Sequence, residues 1–189
     1  MNDLSATGVD RIRRAGILAD ADSGGSVAFN HIGGMDSGDS QDAFGIALGT
    51  LTISATAIAP GGVTNALVQR NRINGVVQTG TFSAAGIAIA GGSVGQNTIV
   101  NNMISGVSSN ATAGDLSVGI FVAGASGSRT RVLSNSVLMS GDRGATTTWP
   151  LFGIAISGAD PMVESRTIRF ATTRWQRVPW RMRKVTRLV

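Results

Sequence analysis

The stretch GIAIAGGSVGQNTIVNNMISG, residues 86–106, is followed by a stretch of the same design, GIFVAGASGSRTRVLSNSV, residues 119–137. In each, a Gly-Ile pair opens an alternation of apolar and small residues, and a V-x-x-N-x-I pattern with Val and Ile interchanged follows it. The second motif begins at Ile99 in one stretch and at Val132 in the other, at the same distance from the opening glycine. A fixed distance between two different motifs indicates a structural repeat.

Both motifs recur along the chain in alternating order. The asparagines of the second motif are Asn30, Asn71, Asn102 and Asn135. The Gly-Ile pairs begin at Gly16, Gly45, Gly86, Gly119 and Gly153. Alternation with a period of two is typical of β-strands, and a recurrence of about 33 residues is typical of a solenoid. The sequence therefore predicts an all-β solenoid in which each repeat is one turn.

Stacking of equivalent strands has consequences for each motif. Parallel strands about 4.8 Å apart would place the inward Val and Ile side chains in continuous columns. The other face of the Gly-Ile strands would carry Ala47, Ala88 and Ala155, so we expect only one face to be buried. We expect the four asparagines at bends, since Asn tolerates the left-handed backbone conformation, and their amides could bond one another as an internal ladder. A β-sandwich would explain the alternation but not the fixed order of the motifs.

With these motifs, residues 16–158 resemble the right-handed parallel β-helix repeat proteins, the broad pectate-lyase-like group. The resemblance implies a right-handed parallel β-helix of about four turns, each of roughly 33 residues. Residues 27–164 would form the repeats, and residues 1–26 a partial first turn or an N-terminal cap. We also expect the chain to be a piece of a longer protein, with open ends through which it could self-associate.

The group is less specific for activity than for fold. Some members cleave acidic polysaccharides, while others are non-catalytic adhesins, phage spikes or surface-protein segments. The resemblance therefore implies a secreted or cell-surface setting and a polysaccharide or cell-surface glycan as partner. We expect a non-catalytic structural or interaction role, and the alternative is the remnant of a polysaccharide lyase or hydrolase. The residues after Met1 do not form a signal-peptide pattern, which leaves the compartment open.

The segments between each asparagine and the next Gly-Ile pair carry the candidate ligand residues. These candidates are Asp36, Asp39, Asp42, Asp115, Asp142, Arg143 and Trp149. Stacked turns could bring such carboxylates together, and Ca²⁺ binds six to eight oxygen ligands. In pectate lyases, which the chain resembles, calcium-bound substrate and a basic side chain perform proton abstraction, and Arg143 is the basic residue beside an aspartate, Asp142, in these segments.

Turn formation is the competing interpretation of these aspartates, because Asp-Ser-Gly and Gly-Asp-Arg-Gly are ordinary turn sequences. Their spacing does not match the calcium loop D-x-D-x-D-G, and the paired-acid motifs of β-helix hydrolases are absent. We therefore predict no catalytic residue, no metal site and no cofactor, with Ca²⁺ as the one open alternative. The absence of cysteine and the single histidine, His31, exclude disulfide scaffolds and Cys- or His-based zinc sites.

Charge divides the chain into two parts. Residues 1–164 have a net charge of −3, whereas residues 165–189 contain seven arginines, Lys184 and no acid, for a net charge of +8. We expect this basic tail to lie outside the repeat. It is interpreted as an out-of-frame or recombined end, as a cap on the last turn, or as a basic amphipathic helix interrupted by Pro179. Nucleic acid or an anionic membrane would be a partner only through this tail.

Overall fold

Three strands per turn build the protein. The computed structural model describes residues 2–6, 8–53, 62–109, 115–139, 151–157, 162–166 and 169–172. The first two turns contain β1 (Asn2–Leu4), β2 (Ala15–Ala19), β3 (Ser26–Ala28), β4 (Asn30–Ser37), β5 (Ala43–Leu48) and β6 (Leu67–Gln69). The next three contain β7 (Arg72–Gln78), β8 (Ala84–Gly91), β9 (Asn97–Val100), β10 (Met103–Ser109), β11 (Ser117–Gly124), β12 (Arg129–Leu133), β13 (Ser136–Met139), β14 (Leu151–Ile156) and β15 (Met162–Arg166). β16 (Arg169–Thr172) begins a sixth turn, and a 3-10 turn spans Gly8–Asp10.

Each sheet collects one strand from every turn. Sheet 1 has the order β1-β4-β7-β10-β13-β16, sheet 2 the order β14-β11-β8-β5-β2, and sheet 3 the order β15-β12-β9-β6-β3. Neighbouring strands are parallel, and each turn returns the chain to sheet 1 one strand further along the axis. The right-handed parallel β-helix predicted from the sequence is therefore confirmed. No helix in the described part of the chain is long and apolar enough to span a membrane.

The two ends extend the stack beyond the four copies of the asparagine motif. Residues 2–28 supply one strand to each sheet, so they form a first triplet of strands. At the other end, β15 pairs with β12 and β16 pairs with β13, so the expected boundary at residue 164 falls inside a strand. Arg166 pairs with Leu133, two positions before the level of Asn135. Residues 173–189 lie outside the described residues.

The core consists of register-matched aliphatic columns. The sheet 1 column is Leu4, Ile32, Ile73, Ile104 and Val137; the sheet 2 column is Ile17, Ile46, Ile87, Ile120 and Ile154; the sheet 3 column begins Val27, Val68, Ile99 and Val132. Their interior members are buried in one continuous cluster. Burial of each such side chain stabilises the fold by about 1.5–3 kcal/mol before the conformational entropy of ordering the chain is subtracted.

Close approach between turns explains the glycine of the Gly-Ile motif. A Cβ on Gly45 would lie 2.6 Å from the carbonyl oxygen of Gly86 and 2.7 Å from Ile73 Cγ2. Gly86 would likewise place a Cβ 2.7 Å from the carbonyl oxygen of Gly119. The motif therefore recurs because each turn needs a residue without a side chain at the point where an aliphatic side chain of sheet 1 and a carbonyl oxygen of the next turn pack against sheet 2.

The asparagine side chains form a ladder along the axis. The Nδ2 of Asn30 donates to Asn71 Oδ1 at 2.9 Å, that of Asn71 to Asn102 Oδ1 at 3.0 Å, and that of Asn102 to Asn135 Oδ1 at 2.9 Å. Each Oδ1 also accepts the backbone N–H of the preceding asparagine, at 2.9–3.0 Å. Asn2 adds a fifth rung by donating to Asn30 Oδ1 at 3.0 Å. The ladder thus satisfies buried backbone groups as well as its own amides.

The bend itself lies one residue earlier than the sequence analysis expected. At each of these bends a residue with left-handed φ stands directly before the ladder asparagine: Phe29 (60°), Arg70 (54°), Asn101 (56°) and Ser134 (53°). The ladder asparagines are not among the residues with positive φ. Expecting Asn at the left-handed position was therefore wrong, because the buried hydrogen bonds of its amide, and not its backbone tolerance, account for the recurrence.

The expectation of one buried face for the Gly-Ile strands is also wrong. Ala47 and Ala88 are fully buried and Phe121 is 2% exposed, so β5, β8 and β11 are buried on both faces. Their outer faces form a second apolar cluster, in which Ile53 packs on the aromatic and alanine side chains. After β5 the chain turns at Gly49, with φ of 68°, and brings Ile53 back over the sheet. Part of the insertion between the motifs therefore covers sheet 2.

Candidate functional site

The aspartates of the first insertion have separate structural roles. Asp36 lies in β4, half-buried, and its carbonyl oxygen accepts a hydrogen bond from Arg11 Nε at 2.8 Å. Asp39 is exposed, and its carboxylate lies 3.7 Å from Arg13 Nη1. The structure therefore does not bring these two carboxylates to a common ligand position.

Asp42 anchors the cover of sheet 2. Its Oδ2 accepts the backbone N–H of Ile53 at 2.6 Å, and its Oδ1 accepts the backbone N–H of Ser83 at 2.8 Å. One carboxylate thus joins the residue before β5, the returning segment at Ile53 and the next turn. Because both oxygens accept buried backbone donors, Asp42 is placed to hold the chain rather than to present a free carboxylate.

Asp42 and Asp115 interact electrostatically. Burial raises the pKa of Asp42, the bonds from Ile53 and Ser83 oppose that rise, Asp115 adds to it, and Arg14 lowers it. Asp115 lies one turn beyond Ser83, whose Oγ accepts the N–H of Leu116 at 3.0 Å. Within the described residues, the convergence of acidic residues expected from the sequence is therefore limited to this pair.

A metal site has no further support in the described residues, which contain no group of three or more His, Cys, Asp or Glu side chains able to hold an ion. Asp142, Arg143 and Trp149 lie outside the described residues, so their expected ligand roles stay predictions. The Ca²⁺ alternative likewise stays untested.

A polar groove lies between sheets 2 and 3. Its cavity measures about 470 Å³ and is lined by Asn65, Ser93, Val94, Gly95, Gln96, Gly127 and Arg129. Asn65, Gln96 and Arg129 take equivalent positions in successive turns, since the residues two further on are register partners. All three are exposed, at an axial spacing of about 4.8 Å per turn.

Hydrogen bonds connect the walls of the groove, and those of Asn97 behind it are buried. Gln96 donates its backbone N–H to Asn65 Oδ1 at 3.1 Å. Asn97, which is 2% exposed, accepts the N–H of Ala66 at 2.9 Å and donates to the carbonyl of Val63 at 3.1 Å. The amide of Gln96 and the guanidinium of Arg129 are thereby displayed from a rigid edge.

The chemistry of the groove suits hydroxylated and anionic ligands. Side-chain amides both donate and accept hydrogen bonds, and a guanidinium can bind a carboxylate through two parallel bonds. Val94, 70% exposed, adds an apolar rim. The sequence analysis missed this site, although the sequence carries a signal for it. In successive turns, a polar residue stands two positions before the residues of sheet 3 that are register partners.

Comparisons with protein-family models, with curated proteins and with solved structures returned no match.

Proposed function

We propose that this chain is a non-catalytic structural and interaction segment of a β-helix repeat protein, and that its polar groove binds a glycan. The groove is the observation that supports this proposal. It offers amide and guanidinium groups at a spacing comparable to the length of one sugar ring, so an extended saccharide along the axis would meet one polar side chain per ring. A secreted or cell-surface setting and a pectin-lyase-like ancestry are parts of the same proposal, carried by the sequence resemblance.

A saccharide fits the groove better than an apolar ligand does. Small-molecule pockets are about 300–1,000 Å³ and mostly apolar, whereas this groove has a comparable volume and a mainly polar lining. Among the residues that the structure describes, Arg129 is the one charged residue lining it, and it favours saccharides that carry a carboxylate. A uronate-containing glycan is therefore the ligand that we propose.

The lyase or hydrolase alternative is less well supported. Among the predicted acids, Asp42 is committed to two backbone donors and Asp39 is paired with Arg13. The Asp42–Asp115 pair is the one described feature that favours a remnant of such a site, because burial raises the pKa of Asp42 and keeps its proton to higher pH. A calcium-dependent rise in ultraviolet absorbance on polygalacturonate would support this alternative.

The glycan proposal is tested by titrating the full chain with trigalacturonate and with cellotriose by isothermal calorimetry. We expect trigalacturonate to bind and R129Q to weaken it about tenfold or more, the effect of one hydrogen bond to a charged group. Q96A should weaken both saccharides. R72Q, which removes an exposed arginine of sheet 1 outside the groove, is the matched control and should leave binding unchanged. No binding of either saccharide, or equal binding by R129Q, would contradict the proposal.

We also propose that the chain self-associates through the edge strands of its sheets. β2 is the edge strand of sheet 2 among the described residues, and its Leu18 is 51% exposed. Unpaired edges of this kind can pair with another chain. Sedimentation velocity should show oligomers that L18K reduces, and a concentration-independent monomer would contradict the proposal.

A further inference from the structure

Arginines collect at the corner where sheet 3 passes into sheet 1. This corner is formed by the left-handed residues, and the surface that we call the arginine ridge comprises large exposed side chains on either side of it. Its members are Phe29, Arg70, Arg72, Met103, Arg166 and Arg169. Arg72 and Arg169 are three register steps apart in sheet 1, or about 14 Å along the axis. The ridge therefore runs along the side of the β-helix.

The ridge carries uncompensated positive charge. Within the described residues, Arg70, Arg72 and Arg169 take part in none of the salt bridges. Arg166 Nε lies 2.6 Å from Glu164 Oε1, and Arg131 Nε lies 3.0 Å from Glu164 Oε2, so these three side chains retain one net positive charge.

On sheet 1, Asp3 in the first turn lies two register steps from Arg72. Its carboxylate lies 3.3 Å from His31 Nδ1, and His31 is the register partner of Arg72. The histidine thus separates the acid from the arginines. The ridge beyond the first turn has no described carboxylate other than Glu164.

Apolar side chains are interleaved with these arginines. Met103 is 61% exposed and is the register partner of Arg72. Phe29 is 48% exposed, and the Arg70 guanidinium lies 5.4 Å from its ring centroid. Exposed Met and Phe beside arginines match the composition of interfacial membrane-binding surfaces, in which apolar groups enter the headgroup boundary and cations pair with anionic lipids.

The same observations disfavour nucleic acid. Single-stranded nucleic acids bind basic surfaces that carry aromatic rings on which bases stack. The described members of the arginine ridge offer one ring, and Arg70 already occupies a face of it. Met103 provides no stacking platform but enters lipid readily, because its side chain is flexible and apolar.

We propose that the arginine ridge docks the β-helix onto an anionic lipid surface, with Arg70, Arg72 and Arg169 at the headgroup phosphates and carboxylates and Met103 in the boundary layer. The members of this contact belong neither to residues 173–189 nor to the glycan groove. It assigns one side of the solenoid to a membrane and leaves the groove for a second ligand.

The test is co-sedimentation of the full chain with vesicles of phosphatidylcholine alone and of phosphatidylcholine mixed with phosphatidylserine. Each arginine near an anionic surface contributes about a fivefold change in partitioning, so R70Q/R72Q should bind the mixed vesicles about 25-fold more weakly. R169Q should lose about fivefold and M103S several-fold. R13Q is the matched control, since Arg13 is an exposed arginine outside the ridge, and R129Q should bind vesicles as the wild type does.

Each outcome decides the proposal. Because residues 173–189 are present in every protein, the binding that remains in R70Q/R72Q sets an upper limit on their share. Equal binding by the wild type, R70Q/R72Q and R169Q would assign vesicle binding to the tail and overturn the proposal. Unchanged binding by M103S, or a single-stranded oligonucleotide bound in preference to the mixed vesicles, would overturn the choice of a lipid partner. Matching circular dichroism spectra would show that the variants are folded.

Discussion

Substitution of Asn102 by alanine should cost far more stability than one lost side chain suggests. The side chain accepts the N–H and Nδ2 of Asn71, each at 3.0 Å, and donates to Asn135 Oδ1, to the Val68 carbonyl at 3.0 Å and to the Val100 carbonyl at 3.2 Å. Alanine leaves the buried N–H of Asn71 without this partner and removes one bond from the carbonyl of Val68, which also lies in the parallel ladder between β6 and β9.

The magnitude follows from counting the groups that lose their partners. The unsatisfied buried N–H of Asn71 costs about 1–3 kcal/mol and the lost bond to the Val68 carbonyl about 0.5–1.5 kcal/mol, so together they lower the free energy of unfolding by about 1.5–4.5 kcal/mol. Asn71 Nδ2 keeps its bond to the Val27 carbonyl, and Asn135 Oδ1 keeps the backbone N–H of Asn102, so neither of these ladder amides is orphaned. We take about 3 kcal/mol as the expected loss in N102A.

Two other Asn-to-Ala variants serve as matched controls for N102A. Asn2 sits at the end of the ladder with one side-chain bond, so N2A should lose about 1 kcal/mol. Asn74 is exposed on the outer face of β7, where it accepts a bond from Ser105, and N74A should lose less than about 0.5 kcal/mol. Urea unfolding followed by circular dichroism gives the three values. A loss below about 1 kcal/mol in N102A, or an equal loss in N2A, would refute the reasoning.

Three further predictions concern single positions. D42N should lower the urea midpoint at pH 7, because an amide oxygen replaces only one of the two acceptor atoms. The raised pKa of Asp42 makes the wild-type free energy of unfolding fall as pH rises from 3.8 through the folded pKa. D42N should abolish this pH dependence, and an unchanged slope would contradict the account. G86A should lower the melting temperature by an amount equivalent to about 2 kcal/mol or more, because its Cβ meets the carbonyl oxygen of Gly119 at 2.7 Å; a neutral effect would show that the turns can separate. S134G should raise stability by about 1 kcal/mol, as glycine relieves a φ of 53°, and a loss of stability would contradict that account.

The repeat was predictable because the same constraint acts in every turn. A ladder asparagine such as Asn71 must satisfy the backbone of its neighbouring turn, and a glycine such as Gly45 must admit its neighbour's carbonyl, so each leaves a periodic trace in the sequence. Asn2 escaped notice because its copy lacks the preceding Val, although it precedes Gly16 by nearly the same distance as Asn30 precedes Gly45. The four left-handed corner residues leave no trace, since their side chains share no chemistry.

The second apolar cluster could not be predicted from the sequence, for a different reason. Phe44 and Ala47 face outward from β5, and outward residues of a solenoid are expected to meet solvent. Ile53, which Asp42 holds over sheet 2, packs in the same cluster, and no other described turn supplies a copy of that Asp42–Ile53 bond for comparison. Sequence periodicity therefore identifies the structural features that all turns share, but it does not reveal a feature that occurs in one turn.

The two surfaces proposed for binding follow from this distinction. In a β-helix, residues at equivalent register positions of successive turns are neighbours in space. A ligand-binding surface is therefore composed of one residue from each turn and not of one continuous segment. Asn65, Gln96 and Arg129 are each a whole repeat apart in sequence yet one strand spacing apart in the groove. The ladder keeps that register, because a one-residue slip would break every amide bond at once. Each turn contributes one polar group, so R129Q and Q96A should each weaken saccharide affinity, while N102A, whose side chain lies outside the groove, weakens binding of both saccharides by loosening the turns.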